Sequence, residues 1–274
     1  MKLNFRGIPA HIILIIFSVI ALFPFYFMTV TAFKTNNEYY ENLYAPPEDW
    51  TVENFGVLIE KHKFFRGFLN SAIVTIASIG LTIIVSVFAS YAYSKMDFKG
   101  RKFILSLTVS LSSIPIMIVI IPIFALMSKL KLLDTYAGVS IVYASFMLPF
   151  SIFFLTGFFN SIPNELLNAA SIDGCSRFQT LFRIIMPLSR PIITALVIVN
   201  SLWVWNDLLI AMMFLRLDRM RTIAVSLHLV GGRYALNPVL IQAGAFFVAV
   251  PMVIVFLVGQ RYFTRGLLAG ALKE

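Results

Sequence analysis

Five stretches of the chain, 7–33, 67–94, 103–128, 135–164 and 234–260, contain no Asp, Glu, Lys or Arg, and a sixth, 191–215, is broken only by Asp207. Each exceeds the roughly 20 residues that cross about 30 Å of hydrocarbon at 1.5 Å per residue. Backbone N–H and C=O groups cannot stay unpaired in hydrocarbon, so a crossing must be a helix or part of a closed barrel. Barrel strands would read as alternating segments of about 10 residues, whereas these runs are continuous. The expected fold is therefore all-α, a polytopic membrane protein with six transmembrane helices at 7–33, 67–94, 103–128, 135–160, 191–215 and 238–260.

Composition agrees, since 59% of residues are hydrophobic and 13% charged, against about 25% charged in soluble domains. No low-complexity tract, linker or solenoid repeat divides the chain, which reads as one domain over 1–274. A signal peptide is the competing reading of the first span, with Lys2 and Arg6 ahead of it and Val30-Thr31-Ala32 loosely like a cleavage site. Its uncharged run is much longer than a signal core of roughly 7–15 residues, so it is kept as a helix.

Orientation follows from Lys95, Lys99, Arg101 and Lys102, the densest basic cluster in a short loop, which places that loop in the cytoplasm. Both termini and segment 161–190 then lie inside. The margin over all loops is narrow, twelve basic residues inside and ten outside, so the cluster decides. The net charge of +9 and pI near 9.7 are the ordinary result of basic residues flanking spans and do not indicate nucleic acid.

Chemistry is sparse. His11, His62 and His228 are scattered, and no metal-binding His pair, phosphate-binding Gly loop or pair of intramembrane acids is present. The chain is expected to be no enzyme, with no catalytic residue, metal or cofactor of its own. Cys175 is the only cysteine, which excludes an internal disulfide. The connection 34–66, with Tyr39, Tyr40, Tyr44, Pro46, Pro47 and Trp50, reads equally as a solvated loop with interfacial aromatics or as a contact surface for an outside partner.

Segment 161–190 is polar where a membrane protein needs only a short loop. Pro163 suits a first helical turn, and Glu165 sets negative charge near the positive end of the helix dipole. Ala169 and Ala170 offer a small face, and Gly174 suits the residue that ends the helix. Ser176 and Gln179 form a capping box opening a second helix. On it, Phe178, Leu181, Phe182 and Ile185 recur at i, i+3, i+4 and i+7, a stripe expected to pack against the spans. The first helix is small and polar, unlike a lipid-seeking helix, so it is expected to dock a soluble partner.

The spacing Asn168-Ala169-Ala170, Gly174, Ile184, Met186, Pro187 resembles the cytoplasmic signature E-A-A-x3-G-x9-I-x-L-P of permease subunits of binding-protein-dependent ABC importers. Asn168 stands where that family has Glu, and Met186 where it has Leu. Further pieces, Ala32-Phe33-Lys34, Asn70-Ser71, Lys99-Gly100-Arg101, Trp205-Asn206-Asp207 and the ending 266–273, look like the maltose-type inner permease family, which imports oligosaccharides. The resemblance implies a type I ABC importer permease fold in a bacterial cytoplasmic membrane, with a coupling helix at 163–174. It implies a second homologous permease, two ATPase subunits that bind ATP and Mg, and an extracytoplasmic sugar-binding protein. Coupling to the ATPases then falls to Pro163, Glu165, Asn168, Ala169, Ala170, Asp173, Gly174, Arg177, Ile184 and Pro187, with Gly266, Gly270 and Lys273 as a second contact. Related importers of polyols, single sugars or glycerol phosphodiesters are the alternative within the family.

For the pathway, Asn200, Trp203 and Asp207 fall at i, i+3 and i+7 on the expected fifth helix, joining an aromatic plane to hydroxyl-binding groups. Asn206 adjoins them and Asn70 lies in the second span. Small polar groups such as Asn70, Ser71, Ser112 and Ser113 serve equally as helix–helix hydrogen-bonding residues. Pro115, Pro122 and Pro149 each free a carbonyl and permit a bend. An ion-coupled carrier is the rival from another class, but it would need several intramembrane acids where only Asp207 is found.

Overall fold

The computed structural model describes residues 8–233 and 237–271, and the side chains of 11–232 and 237–260. In chain order the helices are α1 (Ile8–Ala32), α2 (Asn36–Glu41), α3 (Glu53–Glu60), α4 (Phe64–Lys95), α5 (Arg101–Ser110), α6 (Ile116–Lys129), α7 (Tyr136–Ser161), α8 (Asn164–Ile172), α9 (Arg177–Leu188), α10 (Arg190–Asn206), α11 (Leu209–Phe214), α12 (Ile223–Arg233) and α13 (Pro238–Ala271). No strand occurs among the described residues.

Four helices, α1, α4, α7 and α13, are single elements long and apolar enough to cross a membrane. Two bent pairs, α5 with α6 at 102° and α9 with α10 at 75°, bring the number to six if each pair is one crossing. The expected single span 103–128 is therefore broken. A 3-10 turn, Leu111–Ser113, and the extended Ile114 precede Pro115, which caps α6. Proline restricts the residue before it to extended geometry, so the bend falls there. Pro122 and Pro149, by contrast, lie inside continuous helices. The expected straight helix 191–215 also ends early, because Asp207 is extended after Asn206 and the chain resumes as α11.

The chain divides into two compact units, Met1–Phe65 with Ser226–Pro251, and Arg66–Val225 with Met252–Glu274. Helices α4 and α13 each belong to both, so no linker separates them.

In the first unit, side chains 11–26 of α1 are exposed along an almost wholly apolar sequence. Such a surface requires lipid or another apolar surface to cover it. The connection after α1 is folded rather than loose. Lys34 is fully buried (0% exposed) and its ammonium donates to the carbonyls of Asn42 and Leu43. The Asn54 amide donates to the carbonyls of Ala32 (3.0 Å) and Lys34 (2.9 Å), and Phe33 packs on Trp50, Phe55 and Phe246 at ring separations of 5.6, 5.1 and 5.6 Å. The polar groups left at the end of α1 are thus paired by side chains from the connection itself.

In the second unit, α7 contributes to two buried cores. Its first half joins Val139, Val142, Tyr143 and Met147 to Val74, Ile120, Val204, Ile210 and Phe214. Its second half joins Leu155 and Phe159 to Val87, Tyr91, Leu181, Ile185, Ile192 and Leu196. Helix α7 is apolar on every side, as a membrane span is, and it buries most of its surface while Ile141, Phe150 and Phe153 stay exposed along one side. Small hydroxyl residues on α4, namely Ser78, Thr82, Ser86 and Ser90, are fully buried, and the Ser90 hydroxyl donates to the Ile152 carbonyl at 3.0 Å. Small polar side chains of this kind let helices approach closely and bond across the gap.

The start of α7 has no room to spare: a Cβ on Gly138 would lie 2.0 Å from the Leu132 carbonyl oxygen, whereas one on Gly157 would meet nothing within 4 Å. Gly138→Ala is expected to cost about 1–3 kcal/mol through overpacking, and Gly157→Ala to be neutral or stabilising. Thermal unfolding of the detergent-solubilised protein checks the contrast.

Candidate functional site

Segment 162–190 is built from defined caps. Helix α7 ends at Ile162, which is extended, and the equally extended Pro163 is the N-cap of α8. Pro163 therefore precedes the helix rather than forming its first turn, because its preset φ of −58° here accompanies a ψ of 138°. Gly174 has φ +80°, and the N–H of Cys175 donates to the carbonyl of Ala170 (2.9 Å) and that of Gly174 to Ser171 (3.1 Å). These two bonds form a Schellman ending, the role expected of this glycine. Ser176 and Gln179 complete a reciprocal capping box that opens α9.

Within α9, Leu181–Ile185 is a π turn, closed by the Met186 N–H on the Leu181 carbonyl. The expected stripe packs against the spans in two rows. Leu181 and Ile185 are buried in the core, whereas Phe178 and Phe182 are exposed and stack with each other at 4.9 Å and with Phe88 of α4 at 5.7 and 6.1 Å. The helix runs past Pro187 to Leu188 and breaks at Ser189, with Pro191 in the first turn of α10.

Of the residues expected to couple, Pro163, Glu165, Asn168, Ala169, Asp173, Gly174, Arg177 and Pro187 are exposed, Ile184 is half-buried and Ala170 is buried beneath α8. The sequence reading missed the apolar part of this surface: Leu166 is exposed and Ile172, at the tip of α8, is 86% exposed. It also missed Lys95, the last residue of α4. Its ammonium donates to the Ile162 carbonyl (2.6 Å) and to Asn164 Oδ1 (2.9 Å), at the start of α8. Arg101, from the same basic cluster, pairs with Asp97 at 2.9 Å. A small polar helix with an uncovered isoleucine at its tip, held at both ends, is a surface that a partner's groove can grip.

The five pathway candidates separate into two groups. Trp203, Asn206 and Asp207 line a recess of ≈ 660 Å³ with Leu202, Leu208 and Phe256. Asp207 Oδ2 accepts from the Tyr143 hydroxyl (2.8 Å) and from the N–H groups of Ile210 (2.9 Å) and Ala211 (3.3 Å), so the acid caps α11 as well as lining the recess. The Trp203 indole is 41% exposed and meets the Tyr143 ring edge-on at 5.9 Å. Asn206 donates to the Leu202 carbonyl, which leaves its oxygen as an acceptor. Asn200 does not join them. It is buried and donates to the Ser151 hydroxyl at 3.2 Å.

Asn70 is a structural tie. Its amide donates to the carbonyls of Arg219 (3.0 Å) and Arg221 (2.8 Å) and accepts from the Tyr136 hydroxyl (2.7 Å), while Ser71 accepts from the Ile223 N–H (2.9 Å). The same connection is held by Asp134, whose carboxylate bonds the Arg216 guanidinium (2.7 Å) and the N–H groups of Arg216 and Leu217. Burial raises the Asp134 carboxyl, but these bonds outweigh it and hold it below the usual carboxylate range. Gly266 and Gly270 continue α13, and Lys273 lies outside the described residues.

The family profile described as the inner membrane component of binding-protein-dependent transport systems matches residues 82–269. The chain is 31% identical over 262 residues to the probable ABC transporter permease YurM of Bacillus subtilis, covering 96% of this chain and 87% of that one. It is 33% identical over 258 residues to the arabinooligosaccharide transport permease AraQ of Halalkalibacterium halodurans, covering 93% and 92%. A chain of a crystal structure of a bacterial ABC transporter that imports alginate superposes with a TM-score of 0.80 over 96% of this chain and 99% of that one, at 24% identity, a likeness of fold.

Two outcomes are expected from this geometry. At Gly174 no atom lies within 4 Å of an added Cβ, so a substitution is penalised by the left-handed backbone alone. The melting temperature of the solubilised protein should fall in the order Asn, Ala, Val, with Ala costing about 1 kcal/mol and Asn less. The lowered Asp134 pKa gives stability that is complete above the unfolded carboxylate value near pH 4 and is lost as pH falls through the lower folded value. Asp134→Asn should remove that dependence in melts of the solubilised protein.

Proposed function

The chain belongs to the family of inner membrane components of binding-protein-dependent transport systems and is the membrane permease of an ABC importer; on that premise we propose that it forms half of an oligosaccharide pathway and takes its drive from ATPase subunits docked on α8. The observation that carries this reading is the exposed α8, small and polar on its surface, tipped by Ile172 and closed at each end by Pro163 and Gly174.

The side bearing α8 faces the cytoplasm with both termini, a reading supported by the adjoining cluster Lys95, Lys99, Arg101 and Lys102. A second homologous permease completes the pathway, two ATPase subunits bind ATP and Mg, and an extracytoplasmic binding protein delivers the sugar. ATP-driven closure of the ATPases displaces α8, and because α8 continues from α7, the displacement reaches the most fully packed helix of its unit. Packed cores have discrete arrangements rather than continuous ones, so the result is rocking between inward-open and outward-open states. The chain itself performs no bond chemistry.

The substrate class follows from the recess beside Asp207. An indole plane stacks on the apolar face of a sugar ring, and the oxygens of Asn206 and Asp207 accept its hydroxyls. No cation is among the lining residues, and the one charge is negative. This combination favours neutral oligosaccharides over uronates or phosphodiesters.

Reconstitution with ATPases and binding protein tests the whole reading: ATP hydrolysis and uptake should rise only with a loaded binding protein, and proton-driven uptake by the chain alone would overturn it. Within that assay, Trp203→Ala should lower uptake about tenfold or more with assembly intact, as loss of one stacking ring costs about 1–3 kcal/mol. Asp207→Asn keeps a capping side chain and should assemble normally. Asp207→Ala takes from the buried Tyr143 hydroxyl its carboxylate acceptor and should lower assembly and uptake together.

A further inference from the structure

Chain connectivity joins α8 to α7 through Ile162–Pro163 and to α9 through Gly174, but the structure shows a third attachment that connectivity does not supply. Phe88, Tyr91 and Lys95 fall at i, i+3 and i+7 in the last turns of α4, and so share one face. Each meets a different part of segment 162–190. Phe88 stacks on Phe178 and Phe182. Tyr91 is buried in the core that holds Leu181 and Ile185. Lys95 bonds the turn before α8 and the first residue of α8 together, through the Ile162 carbonyl and Asn164 Oδ1.

We propose that Lys95 is a positioning residue for transport, a polar pin through which displacement of α8 is delivered to α4 as well as to α7. This rests on the reading of α8 as the helix that docks the ATPases.

Three physical points single out Lys95 from the other basic residues beside it. Its ammonium is turned toward a backbone carbonyl, whereas a lysine retained for solubility or topology would leave its charge in water. Its two acceptors belong to different elements, the cap of α7 and the first turn of α8, so one cation fixes their geometry relative to α4. Its placement also carries a cost that topology does not require. At the end of α4 the cation is favoured by the helix dipole, but at the start of α8 it is opposed. Glu165, in the first turn of α8 and within electrostatic reach of Lys95, offsets that opposition. The aromatic contacts of Phe88 hold α9 against this face, and the core around Tyr91 takes in Ile162 and Leu167 as apolar contacts. The Lys95 bonds add the directional polar attachment at the start of α8.

The test uses the whole importer in liposomes, with ATPases and loaded binding protein, and reads sugar moved per ATP hydrolysed beside co-purification of the ATPases. Lys95→Met keeps length and stem but removes the donors. It should lower the transport-to-hydrolysis ratio about tenfold, as expected for loss of charged hydrogen bonds, while ATPase co-purification stays at the wild-type level. Lys95→Arg should restore at least half of the ratio. A wild-type ratio in Lys95→Met overturns the pin, and so does a fall in co-purification that matches the fall in transport, since that would be assembly alone. Should Lys95→Met fail to accumulate, Asn164→Ala, which removes one acceptor and no charge, decides: an unchanged ratio overturns the proposal and a partial fall supports it. If ATPases do not co-purify even with the wild-type chain, the docking reading fails rather than the pin.

Discussion

Every backbone N–H and C=O that leaves a helix in a low-dielectric surrounding must find a partner, and this requirement organises the structure. The larger polar side chains that are not exposed include several spent on it. Asn54 serves the carbonyls at the end of α1, and Lys34 those that follow α2. Asn70 and Ser71 serve the connection that leads into α12. Asp207 serves the first turn of α11, and Lys95 the turn between α7 and α8. Breaks in the helices are therefore held in place rather than loose, and the candidate functional surfaces lie at breaks.

Helix α7 connects those surfaces within its unit. Ile162, at its end, is held by Lys95 beside α8, and Tyr143, 19 residues earlier, is bonded to Asp207 in the wall of the recess. At 1.5 Å per residue that is about 28 Å of one helix, packed into a core at each end. A well-packed element with the exposed α8 at one end and a polar recess near the other suits the proposed transmission of displacement. Pro149 lies between the two points and leaves the helix continuous.

Much of the local design is legible in residue order because it depends on neighbours in the chain. Gly174 as a helix ending, Ser176 with Gln179 as a capping box, and α8 itself are all contained within a few residues. Asn200 was misplaced because periodicity gives the face of a helix and not the neighbour that face meets. Asn200 and Trp203 lie in one regular helix, but the buried Ser151 claims the Asn200 amide. Lys95 was read as a topology signal, which it is, and its second use depends on a residue 67 positions away.

Sequence alone determined that the chain crosses a membrane as helices, how many crossings to expect, and which segment would form a capped polar helix between two of them. Those properties follow from hydrophobic length, charge placement and cap chemistry, all local in the chain. The tertiary structure decided where spans bend, that Asn70 is a tie while Trp203, Asn206 and Asp207 line a recess, and that α4 grips the start of α8. Each of these depends on which distant group meets a polar atom that hydrocarbon cannot satisfy, and residue order does not specify that meeting.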